Sequence, residues 1–155
     1  MVRERVALVV FLLEEQLYAV PLAMVDRVWP MAAVTLLPQA PDVVLGVINI
    51  HGTIFPVVDL RRRFRRALRE YGVRAHLLLV RTSRRRIVVP VDETLGVREV
   101  DLQAVSPPET VVPGAGYVAG MVTLSDGLLF IQDLDAVLSL DEDRRLTEAL
   151  REPSE

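Results

Sequence analysis

The chain has 155 residues, a formal net charge of −3 and no cysteine. This length fits one domain, or two very small ones that share a core. The missing cysteines exclude disulfides, thiolate metal sites and a cysteine nucleophile, and the small net charge gives no general reason to seek nucleic acid or a membrane. The longest apolar run, residues 6–13, is far shorter than the ~20 residues that span a bilayer. The N-terminus lacks a signal-peptide cleavage pattern, so we expect a soluble, cytoplasmic protein without membrane insertion.

Short apolar runs separated by turn residues predict strands along most of the chain. In the first half, strands are predicted at 6–13, 17–20, 43–50 and 53–58, a strand or helical turn at 23–28, and a helix at 60–70. In the second half, strands are predicted at 75–81, 87–91, 94–100, 118–124 and 128–132, a loop at 101–116, and a helical turn at 134–138. A last helix, capped by Asp141, is predicted to run to about Arg151.

The two halves of the chain repeat each other. Residues 6–28, moved by 69 positions, overlie residues 75–97 without a gap, and Gly46 corresponds to Gly120 at a slightly larger offset. Five short strands form a sheet with exposed edges, and closure into a small barrel removes those edges. We therefore predict an all-β fold with short helices, in which two five-stranded barrels pack on a shared apolar interface. The predicted boundaries are residues 6–70 for the first barrel, 74–140 for the second, and 141–155 for a helical tail.

The hairpin at residues 46–61, with the sequence GVINIHGTIFPVVDLR, resembles the signature of CheW domains, the adaptor domains of bacterial chemosensory arrays. The second half fits the family's pattern at matching spacing, through Ile87, Val91, Asp92, Val97, Val100, Gly120, Ile131 and Leu134. The resemblance covers about residues 6–138, nearly the whole chain. It implies two SH3-like five-stranded barrels, a scaffold rather than an enzyme, and no cofactor.

The resemblance also implies two protein partners. One is the cytoplasmic tip of a methyl-accepting chemoreceptor, held in the groove between the barrels, and the other is the regulatory domain of a CheA-like histidine kinase, held by barrel-to-barrel contacts. The groove would receive the apolar stripe of a receptor helix, and the residues carried over to it by position are Val25, Arg27, Val28, Gly46, His51, Gly52 and Ile54. The candidates for the kinase contact are Val88, Val97 and Val118.

Two positions depart from the family's pattern. The family usually has an arginine where this chain has His51, and an acid where it has Arg27. A neutral histidine lacks the five-donor fork of arginine, and two positive charges would repel each other. The hypothesis is that either Arg27 faces a carboxylate of a partner, or the two residues do not touch.

Other features leave alternatives open. The arginines within residues 61–69 form either a solvated helix face or a patch for an acidic protein or nucleic acid. The alternative function is therefore that of a small barrel that binds nucleic acid or an acidic partner through this face. Asp59 and Asp133 end hairpins at matching repeat positions and are interpreted as helix N-caps. An enzyme using these carboxylates or His51 is the weakest hypothesis, because no second group is held nearby. The two histidines lie in separate halves, so we expect no metal site. Trp29 is expected at the barrel interface or on a binding surface.

Overall fold

The computed structural model describes residues 4–63, 71–107, 118–125 and 127–151, without the side chain of Val118. Its strands are β1 (Arg5–Leu13), β2 (Gln16–Pro21), β3 (Val25–Pro30), β4 (Val44–Ile50), β5 (Thr53–Val58), β6 (His76–Arg81), β7 (Arg86–Val91), β8 (Glu93–Asp101), β9 (Val118–Leu124) and β10 (Gly127–Gln132). The described helices are α1 (Leu60–Arg63) and α2 (Leu140–Arg151), with 3-10 turns at Leu22–Met24 and Leu102–Ala104.

The predicted strands are confirmed to within a few residues. Of the predicted helix at 60–70, α1 is the described part and residues 64–70 lie outside it. The loop predicted from residue 101 begins instead with the end of β8 and a 3-10 turn. Among the residues described, none of the helices has the length and apolar character that crossing a membrane requires.

The strands form two five-stranded sheets of matching topology. The order is β3-β6-β7-β5-β4 in one, here called barrel I, and β8-β1-β2-β10-β9 in the other, here called barrel II. Each order becomes the other when β1–β5 are exchanged for β6–β10, so the sequence repeat is also a structural repeat. Each sheet contains one parallel pair, β5 with β7 and β2 with β10. The predicted all-β class with two five-stranded units is confirmed.

The barrels do not follow the predicted division into residues 6–70 and 74–140. The hairpin β1–β2 of the first half lies in barrel II, and the hairpin β6–β7 of the second half lies in barrel I. Both hairpins are apolar on both faces, so their own sequences do not specify which barrel they join. A continuous apolar run indicates a strand that is buried on both faces, but it does not indicate which other strands pack against it.

Apolar residues alternate between two cores along the exchanged hairpins. In β1, Leu8 and Val10 face the interior of barrel II, whereas Val9 and Phe11 face a large cluster between the barrels. Residues of β6 alternate in the same way between the interior of barrel I and that cluster. We call the cluster the seam, and its strand residues include Val9, Phe11, Leu13, Tyr18 and Val20 of barrel II and Leu78, Val80, Ile87, Val89 and Val91 of barrel I. The predicted shared apolar interface is thus confirmed.

Each barrel is closed by one isolated backbone bridge at an equivalent place. In barrel I, Thr35 N–H donates to the Val47 carbonyl (2.9 Å) and Val47 N–H donates to the Thr35 carbonyl (2.7 Å). In barrel II, Ser106 and Met121 exchange the same two hydrogen bonds, at 2.8 and 3.1 Å. In both cases the segment that follows the edge strand β3 or β8 pairs with β4 or β9, which removes the open edges.

The repeat glycines lie directly beside these closing bridges. A Cβ atom on Gly46 would lie 2.1 Å from the carbonyl oxygen of Thr35, and one on Gly120 would lie 2.5 Å from a methyl group of Val105. Both distances are shorter than any real contact of a Cβ atom. The glycines recur in the two halves because the closing segment approaches the strand too closely for a side chain.

The last helix begins with a capping box rather than with the predicted cap at Asp141. Glu142 N–H donates to the Ser139 hydroxyl (3.1 Å), and Ser139 N–H donates to the Glu142 carboxylate (2.9 Å). Leu146 of α2 is fully buried in the seam cluster, and Arg63 forms an ion pair with Glu142. Burial alone would raise the pKa of Glu142, but hydrogen bonds from Arg63 and Ser139 outweigh it and lower that pKa.

Candidate docking surfaces

The residues predicted for the receptor-facing groove do not share one face of β3. Cross-strand partners point to the same side of a sheet. Val28 pairs with Leu78 of the seam, and Val25 packs against the seam cluster. Arg27 pairs instead with Leu79, which faces the interior of barrel I. The predicted groove set is therefore divided between the margin of the seam and the opposite face of the strand.

Apolar residues are exposed to solvent along the margin of the seam, at equivalent positions of both barrels. Val28 is 44% exposed and Val97, its counterpart 69 residues later, is 58% exposed. Val97 pairs with Val9, so it also belongs to the side of its sheet that faces the seam. Leu22 and Met24, in the 3-10 turn before β3, are also exposed. Such residues are suited to an apolar partner surface.

The hairpin between β4 and β5 holds the other predicted groove residues. His51 and Gly52 form its two-residue turn with φ of +51° and +87°, the geometry of a type I′ turn. The turn is fixed by the Asn49 side-chain oxygen, which accepts a hydrogen bond from Gly52 N–H at 2.9 Å. Ile54 is about half exposed. Gly46 is buried at the closing bridge, so it offers no surface to a partner.

The three candidates for the kinase contact have different environments. Val88 is fully buried in the interior core of barrel I, so its assignment to a partner surface is wrong. Its neighbours on β7, Ile87 and Val89, face the seam, which leaves no apolar residue of the middle of this strand at the surface. Val97 is exposed. Val118 begins β9, and its side chain lies outside the described part.

A cavity of about 590 Å³ lies between β3 and the β4–β5 turn of barrel I. Its apolar wall includes Trp29, Phe55 and Leu79, and its polar rim includes Arg27, His51 and Arg86. The rings of Trp29 and Phe55 are tilted, with centroids 6.3 Å apart, and Trp29 packs against the interior core of barrel I. Of the two places expected for Trp29, the barrel interface is therefore excluded, and the residue lines this cavity.

The charges around this cavity are unequally compensated. The Asp26 carboxylate lies 3.0 Å from Arg81 Nε and 3.8 Å from Arg86 Nη1, and the Arg86 guanidinium also lies over the Phe55 ring at 5.3 Å. Within the described part of the chain, neither Arg27 nor His51 has an ion-pair or hydrogen-bond partner. The cavity therefore presents an uncompensated guanidinium beside an aromatic wall.

Barrel II has a cavity at the equivalent place, and its chemistry is different. It measures about 160 Å³ and is lined by Val10, Leu17, Leu95, Gly96, Val97, Arg98 and Leu124. The 69-residue offset matches Leu95 with Asp26 and Gly96 with Arg27. The same corner of the fold is thus large and lined by Asp26, Arg27 and Arg86 in barrel I, whereas in barrel II it is small and Arg98 is the one charged residue of its lining.

Arg61, which begins the arginine run, is buried between the barrels rather than solvated. It is 2% exposed, forms an ion pair with Asp92, approaches Glu14 with its Nε at 3.5 Å, and lies 4.1 Å above the Tyr71 ring. Burial, together with the neighbouring Asp59 carboxylate, raises the pKa of Tyr71. This network fastens α1, at the end of barrel I, to the β1–β2 turn of barrel II.

The other described arginines of the run are also engaged within the protein. Arg62 donates to the Asp42 carbonyl at 2.8 Å, and Arg63 pairs with Glu142. Neither of the two interpretations left open for the run, a solvated helix face or a binding patch, describes residues 61–63, because their side chains are engaged within the protein. Residues 64–69 lie outside the described part.

The interpretation of the two hairpin-ending aspartates as N-caps is confirmed for Asp59, which directly precedes α1, and is wrong for Asp133, because a turn rather than a helix follows it. Asp59 accepts a hydrogen bond from Arg61 N–H (2.9 Å), and Asp133 accepts one from Asp135 N–H (3.1 Å). Both bonds join a side chain to the N–H two residues later, which caps α1 at Asp59 and forms an Asx turn at Asp133. Nowhere in the described ranges do three or more His, Asp or Glu side chains meet in a group that could hold a metal ion.

The fold and these surfaces define a two-barrel protein whose distinctive exposed features are suited to docking. The family model described as the CheW-like domain matches residues 7–142, and the chain belongs to this family. The chemotaxis protein CheW of Treponema pallidum is 30% identical over 151 residues, which are 92% of this chain and 88% of that protein. The chemotaxis protein CheW of Klebsiella aerogenes is 27% identical over 135 residues, which are 86% of this chain and 81% of that protein.

A solved structure shows the same architecture. The crystal structure of the scaffolding protein TtCheW from Thermoanaerobacter tengcongensis matches with a TM-score of 0.82 and 26% identity, over 90% of this chain and 96% of that one. The resemblance found in the sequence is therefore confirmed, together with the SH3-like two-barrel fold. The chain is a member of a family of chemotaxis scaffold proteins.

Proposed function

We propose that this protein is a non-enzymatic, cytoplasmic adaptor that couples a chemoreceptor to a CheA-like histidine kinase in a chemosensory pathway. The observation that carries the proposal is the apolar margin of the seam, where Val28 and Val97 remain exposed at equivalent positions of the two barrels. Membership of the CheW-like family over residues 7–142 supports the two partner classes.

The receptor is proposed to dock along the margin of the seam on the side of barrel I. A helix with an apolar stripe would cover Val25, Val28 and the exposed residues of the preceding 3-10 turn. Val28 is about half exposed, so its complete burial would contribute about 1 kcal/mol. Several such residues together give a specific but reversible contact.

The kinase is proposed to dock on the exposed face of β8 in barrel II. Val97 and Leu95 are both about half exposed there, and they line the small cavity of that barrel. A partner domain of similar barrel architecture could cover this patch with apolar residues of its own. Val97 is retained as a contact residue, and Val88 is replaced by Leu95.

The test is a binding assay with the receptor tip and the kinase regulatory domain encoded in the same genome. We expect the Val28→Gln variant to bind the receptor tip at least about tenfold more weakly, about 1.4 kcal/mol, with kinase binding unchanged. The Val97→Gln variant should show the reverse pattern. Leu140→Gln is the matched control, because Leu140 is 74% exposed on α2 and lies outside both proposed contacts. Failure of the unaltered protein to bind either partner would remove the proposal.

A further inference from the structure

We propose that the cavity of barrel I is a binding site for a carboxylate attached to an apolar body, with Arg27 as the principal contact of the anion. Where the carboxylate belongs to a docking partner, this inference rests on the adaptor function proposed above. The inference itself is carried by three observations: the repeat, the charge balance and the wall of the cavity.

The repeat shows that the fold does not require the charges of this cavity. The equivalent positions of barrel II hold Leu95 in place of Asp26 and Gly96 in place of Arg27. Leu17 likewise stands 69 residues before Arg86. Barrel II has the same strand order and the same closing bridge with these uncharged residues. Because barrel II folds without these charges, folding alone does not explain why barrel I has them.

The positive side chains around the cavity outnumber the negative ones, so the cavity can accept one negative group. Asp26 is already shared between Arg81 and Arg86, whereas Arg27 and His51 have no polar partner within the described residues. A guanidinium offers a planar pair of donors that matches the two oxygens of a carboxylate. Inorganic phosphate could pair with the same guanidinium, but it has no apolar body to contact the wall.

The wall of the cavity selects an apolar body beside the charge. Trp29 and Ile50 are partly exposed and contribute apolar surface to the lining, whereas Phe55 and Leu79 of the lining are buried. A volume of about 590 Å³ lies within the usual range of small-molecule sites, roughly 300–1,000 Å³. An aryl or alkyl carboxylate uses both features of the site, through ion pairing at the rim and burial of its apolar body against the wall.

The test is a titration of the ¹⁵N-labelled protein with phenylacetate, followed by NMR. We expect saturable shifts of the Gly52 and Thr53 amides and of the Trp29 indole N–H. The uncharged analogue 2-phenylethanol and inorganic phosphate should each bind at least about tenfold more weakly, because each lacks one of the two matching features. The Arg27→Gln variant should lose about tenfold in affinity for phenylacetate, and Arg27→Lys should lie between it and the unaltered protein.

Arg98→Gln is the matched control for net charge. Arg98 lines the equivalent cavity of barrel II, so this variant loses the same charge at a different place and should bind phenylacetate normally. The proposal is overturned if phenylethanol or phosphate binds as well as phenylacetate, if Arg27→Gln binds unchanged, or if Arg98→Gln is weakened equally. The spectra of the variants report directly on whether each remains folded.

The source of the carboxylate is decided by competition. If excess phenylacetate displaces the receptor tip or the kinase domain, a partner supplies the group, and if both still bind, the site takes a free organic acid. Either result upholds the site. Phenylacetate binding without binding of either partner would contradict the adaptor function alone, whereas partner binding without phenylacetate binding would overturn the cavity inference alone.

Discussion

The two barrels have the same strand order and the same closing bridge, yet their cavities differ in chemistry. What they share, including Gly46 and Gly120 beside the bridges, is what closure of a five-stranded barrel demands. Residues that differ between the barrels, such as Arg27 in one and Gly96 in the other, are available for binding. Comparison of the copies thus separates residues required by the fold from residues available for binding.

The same comparison applies to the contacts that fasten one barrel to the other. Arg61 follows the last strand of its half and reaches the β1–β2 turn at Glu14. Asp135, its equivalent after β10, accepts a hydrogen bond of 2.7 Å from Ser83 N–H in the turn between β6 and β7. This bond lowers the pKa of Asp135. Arg61 is buried, whereas Asp135 is exposed. The two contacts lie at equivalent places, but the contact of Arg61 should stabilise the fold more.

The largest expected effect comes from breaking the buried contact. Arg61→Ala removes the buried guanidinium that pairs with Asp92 and approaches Glu14, and we expect it to lower the free energy of unfolding by about 3–5 kcal/mol. Asp135→Ala removes one exposed hydrogen bond and should cost about 1 kcal/mol. Urea denaturation of both variants measures the difference. Equal losses would show that burial does not distinguish the two contacts.

The next effect compares the two closing glycines. In Gly46→Ala the new methyl group meets a backbone carbonyl that cannot move without opening the bridge, so we expect a loss of about 3 kcal/mol. In Gly120→Ala the nearest atom is a side-chain methyl of Val105, and the nearest backbone atom, the Ser106 carbonyl oxygen, lies 3.3 Å away, so we expect a smaller loss, about 1 kcal/mol. Thermal unfolding of both variants gives the order, and a larger loss at Gly120 would contradict the steric explanation.

The smallest effect concerns α2, which is tied to barrel I through Arg63 and Glu142. The pKa of Glu142 is lowered in the folded protein, so the unfolded chain binds the proton more readily. The contribution of the Glu142 carboxylate to the free energy of unfolding is therefore complete above the ordinary glutamate pKa of about 4.3. This contribution is lost as the pH falls through the lower pKa that Glu142 has in the folded protein. We expect Glu142→Gln to cost about 1 kcal/mol at pH 7. The difference from the unaltered protein should shrink to nothing in strong acid, and a difference that persists there would contradict this assignment.

The candidate site was only partly predictable, because a local irregularity changed which face each residue occupies. Regular alternation places Val25 and Arg27 on the same side of a strand. A β-bulge between them places Val25 against the seam and Arg27 on the face of the interior of barrel I. Bulges depend on the pairing with a distant strand, so the sequence signature grouped residues that the structure separates.

The sequence alone determined the strands, the repeat, the two-residue turn at His51 and Gly52, and the cap at Asp59. These features depend on side-chain alternation and on hydrogen bonds between residues a few positions apart. Only the tertiary structure decided the exchange of hairpins between barrels, the burial of Arg61 and the interior place of Val88. Those outcomes depend on which remote strands pair, and an apolar run fits several pairings equally well.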